Sequence, residues 1–313
     1  AAIGGTMAPI ELEEGYDKDY VAAVNIASAP TGQLIPPSNT LIVYATVAGS
    51  VSVAALFMAG YIPGIAWGIS LMFIAGYMAK KRGYVSTFSV TPKEALKVLW
   101  DALPSLLLII IVIGGILKGV FTATEGSAIA VVYALILSLC YRSLKIKDLP
   151  SIILSSCKTT CIVIFMIGVS SIMSWVMAYT MIPTAIANAM LSLSSNKYVI
   201  LLLMNVILLV VGTFMDPTPA VLIFTPIFLP ICQSFGMDPV QFGIMIVFNL
   251  CIGTITPPVG VILFTGCKVV GISIEGVIKT LLPFFAAIAV VLLLVTYVPA
   301  MSMWIPSMLG LVK

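Results

Sequence analysis

The chain has 313 residues, of which 61% are hydrophobic and only 9% are charged. Soluble domains are about 45–50% apolar and about 25% charged, so the composition excludes a soluble protein and indicates an integral membrane protein. The net charge of +3 is too small to indicate a nucleic-acid partner, and the chain has no histidine for a metal site or for acid–base catalysis.

Apolar runs long enough to cross a bilayer as helices recur along the chain. After a polar patch at 11–20 comes an apolar segment that is interrupted at 31–40, and then a spanning segment at 51–79. Residues 93–103 carry charges on one side and Leu, Val and Trp on the other, which predicts an amphipathic helix in the membrane interface. Further spans are predicted at 104–121, 126–141, 159–178, 198–215 and 274–299. The hydrophobicity is continuous rather than alternating, so the sequence predicts an all-α integral membrane protein.

Lys and Arg in two short loops predict the orientation. The loop at 80–97 carries five of them and the loop at 142–148 carries three. Two predicted spans separate the loops, so both lie on the same side of the membrane. Because short cytoplasmic loops carry an excess of Lys and Arg, that side is predicted to be cytoplasmic.

The stretches TGQLIPPSNT (31–40) and IGTITPPVGV (252–261) share the spacing Gly-x-x-x-Pro-Pro. Consecutive prolines remove backbone donors and clash with the preceding turn, so neither stretch can be a continuous helix. An offset of 221 residues aligns 9–45 with 230–266. The identities at that offset are Pro9, Ile10, Gly15, Asp17, Gly32, Pro36 and Pro37. These are chiefly residues that dictate backbone geometry, and we interpret them as an internal duplication.

Many secondary transporters are built from such repeats, with a discontinuous helix in each half and an ion or substrate site where the breaks meet. Irregular backbone at membrane depth is tolerated where it lines a cavity or is buried in protein. Freed carbonyls and Ser, Thr or Asn oxygens suit Na⁺, and half-helix N-termini suit an anionic group. A proline kink that serves packing alone is the alternative. The candidate Na⁺ ligands are Gly32, Ser38, Asn39, Thr40, Gly253, Thr254, Thr256, Pro257 and Gly260.

Other polar residues in apolar surroundings are candidates for substrate binding or coupling. Asp216 follows an apolar run and precedes Pro217, a pattern that also predicts a helix N-cap. Asn249 and Ser28 occupy equivalent repeat positions, one turn before the breaks, and a hydrogen bond between helices is the alternative role for each. Glu125 starts a span, where capping is equally expected. The candidates in this group are Asp216, Thr218, Asn249, Ser28 and Glu125.

Several stretches together resemble the large membrane (M) subunit of tripartite ATP-independent periplasmic (TRAP) transporters. They are AAIGGTMAPIELEEGYDKDY, GTFMDPTPAVLIFTPI, ATEGSAIAVVYA, IGTITPPVGV and YVPAMSMWIP. The resemblance covers essentially the whole chain. It implies an inverted-repeat secondary transporter of the ion-transporter superfamily, with two broken-helix hairpins and an elevator-type mechanism. In such a protein the sodium sites lie at the hairpin tips, which this sequence would place at Gly32–Thr40 and Gly253–Gly260, with Asp216 before the second hairpin.

The resemblance also implies a function and partners. The chain would be a multi-pass protein of the bacterial inner membrane, importing a C4-dicarboxylate or sialic acid with co-transported Na⁺ and without an organic cofactor. A small membrane (Q) subunit and a periplasmic binding protein that delivers the carboxylate would be its partners. A divalent-anion/Na⁺ symporter that needs no binding protein is the alternative. Without a His, a Cys/His pair or a suitable acid pair, an enzyme is not expected, and a channel would not need two matched breaks.

Five regions are predicted from these patterns. They are a first repeat core at 1–50, a spanning helix with an interfacial arm helix at 51–103, scaffold spans with a connecting arm at 104–200, a second repeat core at 201–273 and a C-terminal span and tail at 274–313. The TRAP subunit begins with further spans and the first part of hairpin one. The resemblance therefore implies that upstream sequence is missing or forms a separate chain.

Overall fold

The computed structural model describes residues 2–49, 51–84, 91–181, 185–186, 188–189, 192 and 196–312. The regular elements of these residues are all helical, as predicted. A short 3₁₀ turn occupies Ile146–Asp148. The α-helices longer than three residues are α1 (Ala2–Glu13), α2 (Lys18–Ser28), α3 (Thr31–Leu34), α4 (Asn39–Ala48), α5 (Val53–Arg82), α6 (Pro92–Leu117), α7 (Ala123–Cys140), α8 (Leu149–Tyr179), α9 (Lys197–Phe214), α10 (Pro217–Ser234), α11 (Pro239–Ile255), α12 (Val261–Val270), α13 (Ile274–Tyr297) and α14 (Ala300–Met308).

Five of the described helices, α5, α6, α9, α10 and α13, are long and apolar enough to cross a membrane. The predicted spans at 51–79, 198–215 and 274–299 match α5, α9 and α13 to within a few residues. The prediction of separate helices at 93–103 and 104–121 is wrong, because α6 continues through Pro104 as one helix. A capping box of Thr91 and Glu94 starts this helix, and the apolar run beyond the proline offers no second start.

The chain forms two compact units, Ala1–Ser86 with Ser170–Lys313, and Thr87–Val169. The smaller unit contains α6, α7 and the first part of α8. Within it α6 and α7 pack together, and the Tyr133 hydroxyl donates to the Pro104 carbonyl at 2.8 Å. The larger unit contains both proline breaks. The predicted boundary at 103–104 falls inside α6 and separates no elements.

The larger unit repeats its helices at the spacing found in the sequence. Helices α2 and α11 start 221 residues apart, at Lys18 and Pro239, and so do α5 and α13, at Val53 and Ile274. The residues that cap these helices also correspond. The N-caps of α2 and α11 are both aspartates, those of α5 and α13 are both serines, and the turns before α2 and α11 hold Gly15 and Gly236, each with positive φ. The duplication is therefore one of structure as well as of sequence.

The two repeats interlock in the larger unit. The second half-helix of each repeat packs on the first elements of the other: α12 contacts α1 and α2, while α4 contacts α10 and α11. The fully buried Trp67 joins three helices, because its indole N–H donates to the Ala27 carbonyl at 3.0 Å and its ring centroid lies 4.7 Å from that of Phe248. Burying large aromatic side chains dominates core energetics, so this packing joins α2 and α11, the helices on the N-terminal side of the two breaks, to α5.

A polar cluster ties the ends of α2, α5 and α13 together. The Asp19 carboxylate accepts two bonds from the Arg82 guanidinium, at 2.6 and 2.9 Å, and one from the Thr280 hydroxyl. The pKa of Asp19 is lowered to about 2, chiefly by the Arg82 guanidinium and also by the Thr280 hydroxyl, against the opposing effect of burial. The cluster therefore links the first repeat to the second at one polar edge of the unit.

Candidate functional site: two helix breaks and a helical hairpin

The first break separates α3, which ends at Leu34, from α4, which begins at Asn39. Ser38 is buried and caps α4: its hydroxyl oxygen accepts from the Leu41 N–H at 3.3 Å and its proton goes to the Gln33 carbonyl. Asn39 is exposed, while Thr40 is buried. The break thus brings three predicted ligands, Ser38, Asn39 and Thr40, to the start of one half-helix.

The second break separates α11, which ends at Ile255, from α12, which begins at Val261. The Thr254 hydroxyl donates to the Cys251 carbonyl and the Thr256 hydroxyl to the Ile252 carbonyl, each at 2.7 Å. Both hydroxyl oxygens keep lone pairs, because a hydroxyl is one donor and two acceptors. The arrangement therefore leaves acceptor oxygens, rather than donors, at the end of α11.

Helices α9 and α10 form a helical hairpin whose turn is Met215 and Asp216. The hairpin is antiparallel, because the Lys197 amine at the start of α9 donates to the Phe235 carbonyl at the end of α10, at 3.1 Å. Asp216 is the N-cap of α10 and accepts from the Thr218 N–H at 3.2 Å. This corrects the expected order of elements: Asp216 lies in the hairpin turn rather than before a hairpin, and 253–260 is a break between half-helices.

The hairpin turn contacts the second break directly. The Gly260 N–H donates to the Thr213 carbonyl at 3.2 Å. Beneath it α9 and α11 touch backbone to backbone, since a Cβ on Gly253 would lie 2.4 Å from the Gly212 Cα. Only glycine allows so close an approach, which gives Gly253 a packing role in addition to its predicted place at the site.

One side-chain bond joins the first break to the helix that precedes the second. The Cys251 thiol donates to the Gln33 side-chain oxygen at 3.0 Å. The Gln33 carbonyl also accepts from Ser38, so Gln33 links Cys251 to the cap of α4. Gln33 and Cys251 were not among the site residues predicted from the sequence. The only local sign of a role for Gln33 was its position between Gly32 and the double proline, which recur together in the second repeat.

Asn249 is fully buried, and its amide is oriented by a chain of hydrogen bonds. Thr296 donates to the Leu292 carbonyl, so its oxygen is free to accept from the Asn205 amide at 3.0 Å. The Asn205 oxygen then accepts from the Asn249 amide at 2.6 Å, which leaves the Asn249 oxygen buried without a partner among the described residues. Asn205 was not among the predicted site residues, although it interrupts an apolar run.

The remaining predicted residues lie apart from these contacts. Ser28 is exposed, donates to the Asn25 carbonyl at 3.3 Å and lines a cavity of about 630 Å³ between α2 and α12, together with Gly32. Glu125 forms a capping box with Thr122 in the smaller unit, accepting from the Thr122 N–H at 2.7 Å and from its hydroxyl at 2.9 Å. The capping alternative thus accounts for the Glu125 carboxylate.

The second break also contains a small pocket of carbonyl oxygens. A Cβ on Gly260 would lie 2.8 Å from the Thr256 carbonyl oxygen and 3.1 Å from that of Thr254. Unwound carbonyls of this kind coordinate Na⁺ in broken-helix transporters. Among the described residues no three His, Cys, Asp or Glu side chains cluster as for a transition metal. The donor set at the break therefore fits a hard monovalent cation held by neutral oxygens.

Comparison with known proteins identifies the family. The sequence model described as "Tripartite ATP-independent periplasmic transporter, DctM component" matches residues 1–301. The chain is 52% identical to the uncharacterized protein YgiK of Salmonella typhimurium, over 98% of this chain and 71% of the relative. It is 40% identical to the isethionate TRAP transporter permease protein DctMQ of Oleidesulfovibrio alaskensis, over 97% of this chain and 48% of the relative.

A third relative is named for a dicarboxylate. The C4-dicarboxylate TRAP transporter large permease protein DctM of Pseudomonas aeruginosa is 36% identical, over 99% of this chain and 73% of its own length. These matches confirm the resemblance found in the sequence. They also confirm a transport protein of the inner membrane rather than an enzyme. The chain belongs to the DctM family, the large permease component of tripartite ATP-independent periplasmic transporters.

Proposed function

We propose that this chain carries out sodium-coupled import of a small carboxylate-bearing solute, together with a small membrane subunit and a periplasmic binding protein that delivers the solute. Family membership supports the two partners, and the fused name DctMQ of one relative fits a small subunit alongside a large one. The name of another relative fits a C4-dicarboxylate. The elevator-type movement implied by the resemblance is part of the same proposal.

One observation supports sodium coupling most directly: two matched breaks and a hairpin turn converge in one unit. The second break meets the turn through Gly260 and Thr213, and Cys251 meets the first break through Gln33. In the proposed mechanism Na⁺ binds the carbonyl and hydroxyl oxygens at the breaks, fixing their geometry. The solute carboxylate then binds between them, with half-helix N-termini favouring its charge.

The decisive experiment is uptake into proteoliposomes that contain the complete large subunit with its small subunit. We expect accumulation of labelled solute only with an inward sodium gradient and with the binding protein outside. Equal uptake in potassium would contradict sodium coupling. Uptake that needs sodium but no binding protein would favour the divalent-anion symporter instead.

Sodium binding can be measured without knowing the solute. A ligand that binds only the native state stabilises it by about 2.7 kcal/mol at a hundredfold excess over Kd. We therefore expect a saturable rise in Tm in sodium and none in equal potassium or choline. The Asn39→Ala and Thr256→Ala variants should lose most of this rise, because each removes a ligand at one break. A full sodium response in both variants would exclude these two side chains as ligands.

A further inference from the structure

The segments around the two breaks contain no cationic side chain. No Lys or Arg occurs between residues 19 and 79 or between 198 and 267, and the chain has no histidine. These segments include both breaks and most of the α9–α10 hairpin. Within these segments a carboxylate can therefore be held only by neutral hydrogen-bond donors and by the bound Na⁺ of the proposed mechanism.

The hydroxyl groups nearest the breaks are poor candidates for that role. The protons of Thr254 and Thr256 go to backbone carbonyls of α11, and that of Ser38 goes to the Gln33 carbonyl in α3. With their protons used, these hydroxyl oxygens act as acceptors, which suits a cation and repels a carboxylate. A donor for the anion must come from another group at the breaks, such as the N–H groups at the half-helix N-termini, the Thr40 hydroxyl or a side-chain amide.

Gln33 provides such a donor in a fixed orientation. A thiol donates through its S–H, so the Cys251 bond at 3.0 Å takes the Gln33 side-chain oxygen and turns the amide nitrogen away from α11. That nitrogen makes no hydrogen bond to any residue in the described part of the chain, although Gln33 is half-buried. The other amide at this break, Asn39, is exposed and has no side-chain bond that orients it within the described ranges.

We propose that the Gln33 side-chain NH₂ donates to the carboxylate of the transported solute, and that Cys251 is the positioning residue that holds the amide for this contact. Gln33 lies in α3, just before the first break, and contacts α11 one turn before the second, beside the place that the proposed mechanism gives the solute. The assignment rests on the proposed function. It adds a specificity determinant within the membrane to the selection made by the binding protein.

The test uses the complete large subunit with its small subunit and binding protein in proteoliposomes. Succinate, N-acetylneuraminate and isethionate serve as labelled probes, two with carboxylates and one with a sulfonate. For a carboxylate probe that the wild type accumulates, Gln33→Leu should raise KM at least tenfold. Gln33→Glu should abolish uptake, because it replaces a donor with a like charge. The sodium-specific rise in Tm without solute should stay as in the wild type for both variants.

Two further variants separate this contact from a structural effect. Gln233→Leu makes the same change at an exposed position near the end of α10, and it should leave KM unchanged. Cys251→Ser keeps a donor to the Gln33 oxygen and should resemble the wild type. Cys251→Ala frees the amide and should raise KM severalfold.

A wild-type KM in Gln33→Leu overturns the assignment, and so does a raised KM that is accompanied by loss of the sodium response. Sodium-independent uptake by the wild type overturns the proposed coupling, but the KM of the Gln33 variants can still be compared with that of the wild type. A wild type that accumulates isethionate but neither carboxylate overturns both.

Discussion

Two glycines at equivalent repeat positions have different surroundings, which makes them a matched pair. A Cβ on Gly253 would lie 2.3–2.6 Å from three backbone atoms of Gly212, whereas one on Gly32 would meet nothing within 4 Å. Gly253→Ala should force α9 and α11 apart and cost about 1–3 kcal/mol. Gly32→Ala, at a helical position, should be neutral or slightly stabilising. Melting temperatures of the two purified variants test this, and similar Tm values for both would contradict the close contact.

The Asn205–Asn249 pair gives a second prediction about individual residues. Replacing either residue by Leu removes one partner and leaves the other amide buried without its bond, which costs about 1–3 kcal/mol. In the double variant neither polar amide remains, so the loss in Tm should be smaller than the sum of the single losses. A double-mutant cycle monitored by Tm measures the difference. Strictly additive losses would mean that the 2.6 Å bond contributes nothing to stability.

At the scale of helices, the cluster of Asp19, Arg82 and Thr280 should make stability depend on pH. The pKa of Asp19 is lowered to about 2, below its ordinary value of 3.8. The carboxylate therefore stabilises the fold fully above its ordinary pKa, and this contribution is lost as the pH falls from about 4 to about 2. Because the ion pair is partly exposed, we expect about 1 kcal/mol.

The Asp19→Asn variant isolates this contribution. Its Tm should lie below that of the wild type at pH 6, and the gap should close as the pH falls below 4. Asp17→Asn is the matched control, since Asp17 also contacts Arg82 but its side chain is 62% exposed, so its gap should be smaller at every pH. A gap for Asp19→Asn that stays constant down to pH 3 would exclude the ion pair as its cause.

The helices were largely predictable because proline, glycine and aspartate act locally. Asp17, Gly15 and the double proline determine where α2 starts and where α3 ends, and their counterparts do the same in the second repeat. The contacts between helices were not predictable in this way. The bond from Cys251 to Gln33 joins residues 218 positions apart, and no local pattern encodes it.

The absence of any local pattern for contacts between helices also explains why two predictions, for Asp216 and for residues 93–121, needed correction. The family resemblance placed Asp216 before a hairpin, whereas the Asp-Pro pattern predicted a helix N-cap, which Asp216 is. That α9 folds back against α10 depends on contacts such as Lys197 to Phe235, which lie outside any local window. Likewise the charge pattern predicted an interfacial helix at 93–103 apart from a span at 104–121, but a proline inside an apolar helix is compatible with one continuous helix.

For the whole molecule, the repeat accounts for where a transport site is proposed. Each repeat alone would leave a broken helix with unpaired backbone groups in the membrane, which lipid cannot satisfy. The interlocking of α4 with α10 and α11, and of α12 with α1 and α2, surrounds each break with elements of the other repeat. Polar side chains at both breaks, Ser38 and Thr40 at the first and Thr254 at the second, are thereby buried in protein in the larger unit.

The orientation of the molecule in the membrane is the last prediction. The Lys- and Arg-rich ends of α5 and α7 should lie in the cytoplasm, and the turn between α6 and α7 should lie on the opposite side.

Single cysteines substituted for Lys81, Lys145 and Val120 would show on which side of the membrane each of these three places lies, Val120 being 71% exposed. The background would lack the exposed cysteines, Cys140, Cys157 and Cys161. A membrane-impermeant maleimide should label positions 81 and 145 only in inside-out vesicles, and position 120 only in intact spheroplasts. Labelling of all three from one side would mean that α6 and α7 do not each cross the membrane, and labelling of 81 and 145 from outside would invert the proposed topology.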